Sequence, residues 1–138
     1  REKAAAHAIR GAVALRRGQL GAAVRYAGES LACSQAGPLM FRRADAELLL
    51  GTIAVARGAT EVAIEHFREA IGLAHRGSRP DIAVEALLEW ADVLVRRGSA
   101  DALSYLAEAA DLAYRSGLFT LVEDIRAKAE EARQVVAA

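Results

Sequence analysis

The amino-acid sequence predicts an all-α fold built as a stack of helix-turn-helix units, and three observations predict it. Gly18, Gly58 and Gly98 lie 40 residues apart, and so do Gly37, Gly77 and Gly117. Between these marks the apolar residues recur at steps of three and four, the period of one helix face. No stretch shows the alternation of apolar and polar residues that marks a half-buried strand. Two series of turn residues sharing one period are the signature of a helical array, in which each unit buries its apolar face against its neighbours. The clearest copy is RGATEVAIEHFREAIGLAHRG, from Arg57 to Gly77.

Each element follows from local pattern. Residues 1–17 are rich in alanine, with Ala5, Ile9, Ala12 and Val13 at helical spacing, which suits a helix of high intrinsic propensity. Gly18 ends it. Leu20 to Ala36 resumes the pattern through Val24, Ala27 and Leu31, until Gly37 and Pro38 supply a stop and a restart. Leu39 to Arg57 contains AELLLGTIAVA, apolar almost all round, and such a helix must be covered on more than one side. Thr60 is the expected N-cap of the next helix, whose Ala63, Phe67, Ala70 and Ala74 form one stripe ending at Gly77 and Pro80. Ile82 to Arg97 is again apolar on several sides, and Ser99 or Asp101 is expected to cap a helix running to Arg115. After Gly117, Thr120 and Glu123 read as a capping box. The last helix carries Leu118, Leu121, Val122, Ile125, Ala129, Ala132 and Val136 on one face. The result is three helix pairs plus a terminal helix, in one domain over 1–138 with units near 1–37, 38–77 and 78–117 and the terminal helix at 118–137.

Composition excludes several classes of partner. Eighteen basic residues balance eighteen acidic ones over 138 residues, so no overall field draws the protein to nucleic acid or to an anionic membrane. The single cysteine, Cys33, forms no intrachain disulfide and is expected as a buried filler in a reducing, cytoplasmic setting. No apolar run is long enough to cross a bilayer, and REKAAAHAIR lacks the apolar core of a signal peptide. The chain begins without Met, and the expectation is a domain excised from a larger protein.

The residues resemble the tetratricopeptide repeat (TPR) family. Leu50-Gly51 matches the large and small pair of the family's first (A) helix, Gly58 matches the turn, and Ala63, Phe67 and Ala70 match the small, aromatic and small residues of its second (B) helix. Trp90-Ala91, Gly98, Ala102, Leu106 and Ala109 repeat the scheme. Gly11, Gly18 and Ala23 keep it, although Ala27 and Ser30 stand where an aromatic and a small residue belong. The resemblance implies a right-handed superhelical solenoid whose A helices line a concave face. The period of 40, against about 34 in the standard repeat, is similar to the long units in the arms of MalT-like and antibiotic-regulator bacterial transcription regulators.

Counting in register from Gly51 and Ala91, the resemblance places Asp45, Leu48, Thr52 and Val55 on that concave face, with Glu85, Leu88, Asp92 and Val95 as their equivalents. Apolar residues flanked by carboxylates suit a partner segment with apolar anchors and basic residues. The competing reading is that a neighbouring helix of the same protein fills the groove.

No chemistry competes with binding. His7, His66 and His75 have no His or Cys at i+3 or i+4, no serine sits in a G-x-S-x-G setting, and no glycine run cradles a phosphate. Arg16-Arg17 and Arg96-Arg97 fall in last turns, where cations oppose the helix dipole, and Trp90 is expected in the core. The expected function is therefore a protein interaction scaffold, the arm of a multidomain bacterial regulator, with no enzyme activity, metal or cofactor and no direct contact with nucleic acid or membrane. Its partner is a protein or peptide segment, a neighbouring domain, or a second copy pairing through an uncapped end. The alternative is a sensor that binds a small effector in the same groove.

Overall fold

The structure is a computed structural model that describes the backbone of residues 10–35 and 40–137 and the side chains of residues 10–29 and 42–137. Every regular element in it is a helix: α1 over residues 10–16, α2 (Leu20–Gln35), α3 (Met40–Ala56), α4 (Thr60–Arg76), α5 (Pro80–Arg96), α6 (Asp101–Arg115) and α7 (Phe119–Ala137). No strand occurs among the described residues. Gly37, Pro38, His7 and the side chain of Cys33 lie outside the described residues.

The described links are three residues long, except for four between α5 and α6. Such a link spans only about 10 to 14 Å even when extended, so each helix starts beside the end of the one before. From α4 onward each then packs along its predecessor, which makes the successive helices from α3 to α7 antiparallel. The links share one closing geometry. Gln19, Ala59, Arg79, Ser99 and Leu118 each donate a backbone N–H to the carbonyl five residues back, on Ala14, Ala54, Ala74, Leu94 and Ala113. That bond is the Schellman closure, and it requires a left-handed residue just before the donor. Gly18, Gly58, Gly98 and Gly117 supply it with φ between 69° and 77°.

At the third closure, the one made by Arg79, the expected glycine is displaced. Gly77 has an ordinary φ of −89°, and the left-handed residue is Ser78, at φ 55°. Its Cβ crowds the following carbonyl, a strain of about 1 to 2 kcal/mol that glycine avoids. Ser78→Gly is therefore expected to raise stability by about 0.5 to 1 kcal/mol after the added freedom of the unfolded glycine is subtracted. Gly58→Ser is expected to lower it comparably. Urea midpoints of the two variants check this, and a loss at Ser78→Gly would contradict it.

Three cap assignments need correction. Thr60 is the first residue of α4 rather than its N-cap, which is Ala59 with no side-chain bond. Before α6 the Ser99 hydroxyl accepts the Asp101 N–H at 3.3 Å, while the N-cap position is Ala100. Thr120 lies inside α7, which already starts at Phe119, and Glu123 accepts from Arg126 at 3.1 Å instead of closing a box. In each case the preceding Schellman turn sets where the next helix begins. Pro80 sits in the first turn of α5 as expected.

The core is continuous from α3 to α7 and includes Phe67, Leu73, Ile82, Leu87, Trp90, Leu106 and Ile125. A smaller cluster joins α1, α2 and α3 through Ala14, Ala23, Ala27 and Ile53. Among the described side chains, those of Leu15, Val24, Tyr26, Leu49 and Leu50 pack against it. Trp90 is buried, stacks on Tyr105 with ring centroids 4.4 Å apart, and lies under the guanidinium of Arg68 at 5.5 Å. Helix α5 thereby locks against both α4 and α6.

Beyond successive pairs, α3 touches α5 and α5 touches α7. By contrast α2 and α4, and α4 and α6, bring no described α-carbons within 8 Å of one another. The odd-numbered helices α3, α5 and α7 form a contiguous row, and the even-numbered ones stand apart behind it. No helix among the described residues is long and apolar enough to cross a membrane.

Candidate functional site: a charged groove on the odd-numbered helices

A concavity of about 390 Å³ opens to solvent over α3, between α1 and α5. Helix α3 forms its floor with Arg42, Asp45, Leu48, Leu49 and Thr52. One wall is α1, through Ala12, Leu15 and Arg16, and the other is α5, through Glu85 and Glu89. The floor is placed by the close approach of α3 to the helices behind it. Gly51 carries no side chain because Phe67 of α4 occupies that space: a Cβ there would lie 2.5 Å from the Phe67 ring. At Gly11 of α1 a Cβ would meet the tip of the Leu49 side chain at 2.7 Å, a contact that a shift of that flexible tip can relieve.

Of the eight residues expected on the concave face, Asp45, Leu48, Thr52 and Glu85 come together in this groove. Leu48 is buried in its floor. Thr52 lies beside it, its hydroxyl donating to the Leu48 carbonyl of the turn below at 3.0 Å. Val55, Leu88, Asp92 and Val95 do not line the groove, and Val55, Leu88 and Val95 are half-buried and pack against the main core.

The groove also holds Arg16, Arg42, Leu49, Glu89, Ala12 and Leu15, which register counting did not select. Glu89 is the 40-residue counterpart of Leu49 and lies one turn from Glu85, a signal present in the sequence. The α1 wall has a signal of the same kind, since Ala12 and Leu15 are the 40-residue counterparts of Thr52 and Val55.

The electrostatics of the groove are dominated by carboxylates. Burial pushes the Asp45 carboxyl above its ordinary range, against the opposing pull of Arg79 and Arg42. Glu85 reaches solvent at the lip, yet the surrounding protein displaces enough water to push its carboxyl up. Glu89, Asp45 and Asp81 push it further in the same direction. Glu89 is raised by burial and by Asp92, and is partly relieved by Lys128 and Arg96. At the groove mouth Asp81 is held below its ordinary value by a two-pronged bond from Arg79, at 2.9 and 2.7 Å.

A carboxyl raised in the folded state binds more protons folded than unfolded, so its contribution to stability is fully present below its unfolded pKa and is lost as pH rises through the folded one. At neutral pH the charge on Glu85 thus works against folding. Glu85→Gln is expected to melt above the wild type at pH 7, with the gap closing as pH falls below the carboxylate range. Thermal scans across pH check this, and a variant that melts lower at pH 7 would contradict it.

The described residues contain no cluster of three or more His, Cys, Asp or Glu placed to hold a metal. His66 bonds Glu47 at 2.6 Å between α4 and α3, apart from the groove lining. The arrangement can hold a ligand by burial and charge. Comparison with known protein families, curated proteins and solved structures finds no match for this chain.

Proposed function

We propose that this chain is an interaction scaffold, a TPR-like solenoid of three helix pairs and a terminal helix, that holds a protein segment in the groove over α3. The observation that carries the reading is the open groove itself, with Leu48 and Leu49 on its floor and partly desolvated carboxylates on a helical surface. Contact along the odd-numbered row and separation of the even-numbered helices support a stack curved toward the odd-numbered face. In the solenoid reading that is the concave side. The 40-residue unit supports a place in the arm of a multidomain bacterial transcription regulator, working in the cytoplasm, where the occupant would be a neighbouring domain or another protein.

Desolvated carboxylates repel one another until a cation arrives, so a basic group on the occupant gains both attraction and relief of that repulsion. Apolar burial at about 25 cal/mol per Å² supplies the rest before ordering costs. A photoreactive residue placed at Thr52 is expected to cross-link to a polypeptide segment, and the yield is expected to fall when Glu85 and Glu89 are both changed to lysine. Cross-linking only from a control position at Tyr114 would contradict the scaffold reading.

A second reading, an effector sensor, is favoured by size alone, since about 390 Å³ is within the range of small-ligand sites. Native mass spectrometry of the purified protein distinguishes the two. An adduct of a few hundred daltons lost on the same double substitution would favour the sensor.

A further inference from the structure

The groove is not uniformly acidic. Its α5 wall carries Glu85 and Glu89, and its α1 wall carries Arg16. Between them the floor is Leu48 and Leu49, and the floor's own charges, Arg42 and Asp45, act on each other. Among the described residues, the charges that act on Glu85 are the carboxylates of Glu89, Asp45 and Asp81. Arg16 is exposed in the last turn of α1, where the helix dipole already favours its cation.

Two walls of opposite sign on either side of an apolar floor ask for an occupant with three different flanks. An extended strand has only two faces, because its side chains alternate. A helix presents an apolar stripe about 100° wide with a separate flank on each side, and helices dock in grooves by such stripes.

Building on the scaffold reading, we infer that the groove takes an amphipathic helix of divided charge from a protein partner, with basic residues on the flank that meets Glu85 and Glu89, an acidic residue on the flank that meets Arg16, and apolar residues between. A helix basic on both flanks would set a cation against Arg16. A helix acidic on both would set carboxylates against Glu85, and like charges brought together at an interface are strongly disfavoured. The division of charge also fixes direction, since turning the helix end for end exchanges its flanks.

The test uses three synthetic helical peptides with the same apolar stripe, their flanks carrying Lys and Glu, Lys and Lys, or Glu and Glu. Binding to the intact chain is read by fluorescence anisotropy at low salt. The wild type is expected to bind the mixed peptide about tenfold more tightly than either uniform one. Arg16→Glu should move the preference to the Lys and Lys peptide, and Glu85→Lys with Glu89→Lys should move it to the Glu and Glu peptide. Circular dichroism confirms that each variant stays helical. A wild-type preference for the Lys and Lys peptide that depends on Glu85 and Glu89 would overturn the divided charge while leaving the scaffold reading standing. Equal binding of all three, or of none, also overturns the inference, and the Thr52 cross-link then decides the scaffold reading separately.

Discussion

Phe67→Ala is expected to lower the stability of the chain by about 3 to 5 kcal/mol, a large part of the roughly 5 to 15 kcal/mol that holds a domain together. Phe67 has no exposed surface, and its ring fills the space left by Gly51 on α3. Removing it leaves a cavity between two helices whose backbones are already in close approach, so little collapse can repair it. The same contact predicts a reversal of sign. Gly51→Ala in the wild type drives a methyl to 2.5 Å from the ring, an overpacking that typically costs about 1 to 3 kcal/mol. In the Phe67→Ala background the clash is gone, and the methyl should instead gain up to about 1 kcal/mol of helix propensity. Urea denaturation of the four proteins measures the cycle. A loss below about 1 kcal/mol at Phe67→Ala, or the same cost for Gly51→Ala in both backgrounds, would contradict this packing.

Deleting residues 119–137 is expected to have an effect at least as large, together with self-association. Val122, Ile125 and Ala132 of α7 are buried, and the first two alone account for about 3 to 6 kcal/mol of burial. Without α7 the faces of α6 and α5 that it covers become an exposed apolar patch of the kind that drives aggregation. The outer face of α7 is built differently. Glu131, forty residues after Ala91, is exposed, and so are the surface pairs of Arg126 with Glu123 and Arg133 with Glu130. Such pairs add little stability, and their role is to keep the end of the stack wet. Light scattering and a melting curve test the deletion, and a truncated chain that stays monomeric with an unchanged midpoint would show that α7 does not belong to this core.

The helices were legible because glycine and apolar spacing act locally: Gly58 and Gly98 stop helices wherever a left-handed residue is needed, and Phe67 marks its own stripe. The cap errors have the opposite cause. Thr60 and Thr120 look like caps in isolation, but a backbone closure from the preceding helix had already satisfied the turn. Ser78 shows the same limit, since Gly77 marks the turn while the strained position falls one residue later. For the groove, Asp45, Leu48, Thr52 and Glu85 followed from a fixed register. Arg16 did not, because its 40-residue counterpart is the small, uncharged Ala56, although Ala12 and Leu15 beside it match Thr52 and Val55.

Methyl NMR reads the proposed binding face of α1, α3 and α5 residue by residue. With leucine and valine methyls labelled, titration of the mixed Lys and Glu peptide is expected to shift Leu15, Leu48 and Leu49 progressively, while Val62 on α4 and Val135 on α7 stay still. Shifts concentrated at Val62 or Val135, with the three groove leucines unmoved, would contradict it.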